Sequence, residues 1–140
     1  MVRYQWLGIS GWLLDDMKEN NIKNKSFAFA VRVVKLYQYL SEEKREFILS
    51  KQVLRSGTSV GAMVREAEHG QSKADFIHKF AIAQKEINET IYWLELLNET
   101  DYIDEQQFES LSNDAVELIK IITTIIKNTK RNLTTNNLSL

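Results

Sequence analysis

Two histidines, a spaced pair of glutamates and an arginine set among small residues are the side chains with enough chemistry to form a site. His69 and His78 stand either side of Gly70, a helix-stopping residue, so they fall on different elements. They lack the His-x-x-x-His spacing that places two imidazoles on one helix face for a metal. Glu86-x-x-Glu89 does put two carboxylates on one face. Di-metal helical bundles combine such glutamates with Glu-x-x-His motifs on further helices, and this chain has none. It has no cysteine, which removes thiolate ligands, thiol nucleophiles and disulfides together and fits the reducing conditions of the cytoplasm. Phosphate-binding glycine loops and the Gly-x-Ser-x-Gly elbow are absent, and the carboxylates are scattered along the chain rather than paired for proton transfer. The expectation is a non-enzymatic protein with no cofactor and no metal.

Arg55 opens the most unusual stretch, Arg55-Ser56-Gly57-Thr58-Ser59-Val60-Gly61-Ala62. Serine and threonine are poor mid-helix residues unless their hydroxyls find partners or the packing requires small side chains. Each mid-helix glycine costs about 1 kcal/mol against alanine. Gly57 and Gly61 are one helical turn apart, which predicts a neighbouring backbone lying close against that face. Two readings of Arg55 remain open: it pairs with Glu86 or Glu89 on a later helix, or it binds a phosphate.

The elements that must position these residues are helical. Proline is absent, so no ring clash interrupts a long helix. A first helix is expected over 26–40, capped by Asn24 or Ser26, with Phe27, Val31, Val34 and Tyr37 as its apolar face. A second is expected over 42–69, with Ser41 as N-cap and a stripe of Phe47, Leu54, Thr58 and Gly61. A third covers 73–98, opened by Ser72-x-x-Asp75, with a seam of Phe76, Phe80, Ala83, Ile87, Ile91 and Leu94. A fourth covers 105–130, opened by Asp104-x-x-Gln107, with Phe108, Leu111, Ala115, Leu118, Ile122 and Ile125 inward. Short connections make successive helices antiparallel, so the fold class is all-α, an antiparallel up-down-up-down four-helix bundle. The domain reading is an N-terminal extension over 1–22 containing Trp6 and Trp12, a bundle over 23–130 and a disordered tail over 131–140. The apolar stretch 6–14 is too short to span a bilayer and runs into Asp15-Asp16, so no membrane association is expected.

The net charge of −1 conceals segregation. Residues 22–65 hold nine Lys or Arg against three acids, and residues 66–117 hold three Lys against thirteen acids. From 118 onward there are four basic residues and no acid. Such blocks can pair within the fold, meet another copy of the chain, or present one basic face to a polyanion. The candidate nucleic-acid contacts are Lys23, Lys25, Arg32, Lys35, Lys51 and Arg55.

The stretch from Arg55 to Ala62, then Glu66-Ala67, Ser72-Lys73-Ala74-Asp75-Phe76-Ile77-His78-Lys79, Lys85-Glu86-x-x-Glu89 and Tyr92-Trp93-Leu94-Glu95-Leu96-Leu97 resembles the 23S rRNA intervening-sequence protein family. Ser26-Phe27-x-Phe29-Ala30-x-Arg32-x-Val34-x-Leu36-Tyr37 is similar to the first helix of that family. Met63 stands where the family motif usually has asparagine. The resemblance covers roughly residues 23–130 and implies a four-helix bundle that assembles as a homopentamer. It implies no settled biochemical role. A related bundle, the accessory protein of diversity-generating retroelements, is a basic pentamer that binds nucleic acid and a reverse transcriptase. Within the family-like segment, Arg55, Gly57, Thr58, Gly61, Glu86, Glu89 and Trp93 form the expected polar and packing motif.

Two functions follow as expectations. One is an oligomeric ring that contacts RNA or DNA backbones through a repeated basic face. The other is a protein-interaction module, whose partner is itself or another protein, in which acidic and basic stretches of successive copies meet.

Overall fold

The computed structural model describes the backbone of residues 16–138 and the side chains of residues 21–132. Trp6 and Trp12 lie outside the described residues. Four helices follow one another: α1 (Asp16–Glu42), α2 (Leu49–Glu68), α3 (Lys73–Glu99) and α4 (Glu105–Leu138). Each packs on the next, and α4 closes back on α1, the adjacency of an antiparallel up-down-up-down bundle. The connections 43–48 and 100–104 therefore share one end of the bundle, and 69–72 lies at the other.

The second half forms as its pattern predicts. The Ser72 hydroxyl accepts from the Asp75 amide at 3.0 Å. The Asp75 carboxylate accepts from the Gln71 amide at 3.2 Å. Asp104 and Gln107 exchange bonds in the reciprocal way, at 2.7 and 2.9 Å. Phe76, Phe80, Ala83, Ile87 and Leu94 of α3 are buried, as are Leu111, Ala115, Leu118, Ile122 and Ile125 of α4. Ile91 and Phe108 are only partly buried, and Thr90 and Leu97 complete the inner face of α3.

The first half departs from its pattern in three ways. First, α1 runs from Asp16 to Glu42 and includes Asn24, Ser26 and Ser41, so none of the three expected caps acts as one. Ser26 is buried and donates to the Lys23 carbonyl at 3.2 Å, while Ser41 donates to the Tyr37 carbonyl at 2.8 Å. Both bond backward along their own helix, as mid-helix hydroxyls do. Second, α2 starts at Leu49, where the Glu46 carboxylate accepts from the amides of Ile48, Leu49 and Ser50 at 3.2, 3.0 and 2.7 Å. A glutamate placed before a helix can thus satisfy several free first-turn donors and sit at the positive end of the dipole. Arg45, at φ 56°, supplies the left-handed turn that brings Glu46 round.

Third, the apolar faces of α1 and α2 are not the expected ones. The inner face of α1 is Ile22, Ser26, Phe29, Val33, Leu36 and Leu40. Phe27 is 55% exposed, and Val31 and Val34 are each 39% exposed. On α2 the buried residues are Ser50, Val53, Ser56, Gly57, Val60, Val64 and Ala67, whereas Phe47 is exposed. Periodicity cannot choose between two apolar stripes on one helix. The glycines can: a β-carbon on Gly57 would lie 2.7 Å from Val33 Cγ2, and one on Gly61 would lie 3.4 Å from the Ser26 carbonyl oxygen. The close approach expected at Gly57 and Gly61 is thus made by α1, and it turns Val33 and Ser26 inward. At the other terminus, α4 runs to Leu138, past the expected end at 130 and into the segment expected to be a disordered tail.

Candidate functional site

The α2–α3 seam brings together most of the polar motif. Glu86 and Glu89 are one turn apart on α3 and face Arg55 of α2. One guanidinium nitrogen of Arg55 lies 3.2 Å from Glu86 Oε1, and the other donates to Glu89 Oε1. The Trp93 indole N–H donates to the same Glu89 oxygen at 3.2 Å. Beneath this cluster the buried hydroxyls of Ser56 and Thr90 meet at 2.8 Å. Thr90 donates to the Glu86 carbonyl at 2.8 Å, which leaves it to accept from Ser56. Ser56 thus serves the contact with α3, and Gly57 beside it serves the one with α1.

The electrostatics describe a clamp. The hydrogen bond to Glu86 chiefly raises the Arg55 pKa above its ordinary value; burial is the next largest influence and opposes the rise, while the charges of Glu86 and Glu89 and the hydrogen bond to Glu89 add to it. Arg55 is half exposed while Glu86 is 15% exposed, so the carboxylate is the more buried partner. Glu86 Oε1 has no hydrogen-bond partner and is held by charge alone. With two carboxylates on one guanidinium, the positive charge is already consumed.

The other proposed contacts lie apart from one another. Lys23 pairs with Glu68 at 3.0 Å across α1–α2, and Lys25 pairs with Glu117 at 2.7 Å across α1–α4. Arg32 pairs with Asp114 on α4 and donates to the Ser110 hydroxyl at 2.7 Å. Lys35 and Lys51 are exposed and make no ion pair among the described residues. The six residues therefore occupy three different helix seams and two free positions, and they do not form one basic face. Of the packing motif, Thr58 donates to the Leu54 carbonyl at 2.7 Å within its own helix, and Trp93 packs on the core at the end of the bundle nearest loops 43–48 and 100–104.

The sequence reading missed an exposed apolar stripe. Phe27, Val31 and Val34 follow the i, i+4, i+7 spacing of a single helix face, and the Arg65 guanidinium of α2 lies 5.2 Å from the Phe27 ring centroid. The stripe therefore runs along the outer side of α1 next to α2. Phe47 and Ile48 extend exposed apolar surface into the connection, at 47% and 74% exposure. The signal was present as two interleaved apolar series on α1, of which a bundle helix with one inner face can bury only one. Among the described residues no group of three His, Asp or Glu side chains is placed to hold a metal ion, and no helix is long and apolar enough to cross a membrane.

The fold and its seams define a four-helix bundle in which Lys23, Lys25, Arg32 and Arg55 hold helices to one another. The sequence profile of the 23S rRNA-intervening sequence protein family matches residues 18–124, and the chain belongs to that family. It is similar to a crystal structure from Bacteroides thetaiotaomicron VPI-5482, of a protein of unknown function in the S23 ribosomal protein family. The two share 58% identity over 79% of this chain and 98% of the other, with a TM-score of 0.78. No curated protein matches the chain.

Proposed function

We propose that this chain is a non-enzymatic cytoplasmic assembly protein whose outer α1–α2 surface docks on the α3–α4 side of another copy. The exposed Phe27, Val31 and Val34 stripe carries this reading, because a helix that is apolar on two sides needs a second partner. Charge complementarity argues that the partner is a second copy. Lys51 of α2 and Lys35, which lines the groove between α1 and α4 with Gln107 and Leu111, lie near the end bearing loops 43–48 and 100–104 and make no ion pair among the described residues. At the same end, on α3 and α4, Glu95, Glu99, Glu105 and Glu109 are exposed and make no ion pair among the described residues, and Tyr92 and Val116 are exposed beside them. Two different faces meeting head to tail give a heterologous contact, which closes into a ring when its rotation allows. The pentamer implied by the family resemblance is the expected closed form. Nucleic-acid contact through Lys23, Lys25, Arg32, Lys35, Lys51 and Arg55 has less support, since four of these six cations are held by carboxylates.

Light scattering at low and moderate salt tests the reading. The expected mass is near five times 16.3 kDa, reduced when Lys35→Glu and Lys51→Glu are combined. A wild-type monomer at both salt concentrations contradicts it.

A further inference from the structure

Beyond Leu118, α4 carries Lys120, Lys127, Lys130 and Arg131 and no acid. The structure turns this composition into a line. Lys120, Lys127 and Arg131 follow the i, i+7, i+11 spacing of one helix side, and all three are exposed. The buried residues of the same stretch are Leu118, Ile122, Ile125 and Thr129, so the cations stand opposite the core. None of the four makes an ion pair among the described residues. Glu117, the acid preceding them, is already held by Lys25 at 2.7 Å. This is the reverse of α1, where Lys23, Lys25 and Arg32 are all paired.

We infer that Lys120, Lys127 and Arg131 form a track for the phosphate backbone of a nucleic acid. At about 1.5 Å per residue the track is about 16 Å long. Thr124, Asn128 and Asn132 flank the line on one side, Ile121 lines a cavity with Lys120 and Thr124 at its start, exposed Val116 precedes it by one turn, and no aromatic residue interrupts it. A membrane surface would call for an apolar flank to insert, and a protein partner for apolar anchors at the centre of the contact. A line of cations with neutral polar neighbours suits a polyanion instead. Without aromatic side chains to stack bases, the contact is made to the backbone and is independent of sequence. This inference does not depend on the α1–α2 docking surface, although assembly would repeat the track and raise its avidity.

Fluorescence anisotropy with a labelled mixed-sequence single-stranded RNA, and with its DNA counterpart, tests the track. Wild-type binding should weaken as salt rises. Combining Lys120→Glu, Lys127→Glu and Arg131→Glu should reduce affinity at least about tenfold. It should also flatten the log–log salt slope by about 2, at about 0.7 per single-strand phosphate contact. A glutamine version of the triple variant replaces the glutamate one if helicity or solution mass changes. The inference is overturned by a triple variant that binds as tightly as wild type, by wild-type affinity that ignores salt, or by binding to anionic lipid vesicles with none to either oligonucleotide.

Discussion

Helices α1 and α3 are both 27 residues long, and they use apolar residues in opposite ways. α3 keeps its large apolar residues out of solvent: Phe76, Phe80, Ile87, Leu94 and Leu97 are buried, Ile77, Ile82, Ile91, Trp93 and Leu96 are half-buried, and Tyr92 is its one large apolar residue that is clearly exposed. α1 buries Phe29, Val33, Leu36 and Leu40 and still leaves Phe27, Val31 and Val34 in solvent. The number of apolar residues on a helix therefore does not measure its share of the core. A single stripe is accounted for by the fold, whereas a second stripe calls for something outside it.

The comparison can be broken most sharply at its two phenylalanines. Phe80→Ala should cost about 3–5 kcal/mol in urea unfolding, because it empties a fully buried site. Phe27→Ala should cost less than about 1 kcal/mol within the folded chain, its one ring contact among the described residues being with Arg65. Equal losses would mean that α1 has no outward face. The two glycines give the next largest effect. Gly57→Ala should destabilise by about 1–3 kcal/mol, since the new methyl meets Val33, a buried β-branched residue that cannot swing aside. Gly61→Ala has an ordinary contact distance and gains helix propensity, so it should be neutral or stabilising by up to about 1 kcal/mol. Gly61→Leu, in contrast, should overfill the contact with α1. A smaller loss than that at Gly57 is expected at the α1–α2 connection. Glu46→Ala leaves three amides without their carboxylate and should cost about 1 kcal/mol, measurable as a lower unfolding midpoint.

How much of this was legible follows the same division. The seams of α3 and α4, their capping pairs and the Arg55 contact with Glu86 and Glu89 could be read from spacing, because each rests on local periodicity and one opposite charge. The inner face of α1 could not be read that way. It depends on which stripe fits the Gly57 groove, a contact between residues far apart in the chain. The start of α2 was missed for a different reason: serine is the familiar cap, yet Glu46 does that work once Arg45 has turned the chain. The basic face expected on α1 and α2 was read from a charge count. A count cannot show that Lys23, Lys25 and Arg32 each lie across a seam from an acid on α2 or α4.

The central claim is that the outer stripe of α1 docks on another copy of the chain. The most direct test is the solution mass of a Val31→Glu, Val34→Glu variant, measured beside wild type and alongside helical circular dichroism. Both positions are exposed in the folded chain, so helicity should be unchanged while the mass falls from an oligomer to a monomer. A variant that keeps both its helicity and the wild-type oligomeric mass would contradict the claim.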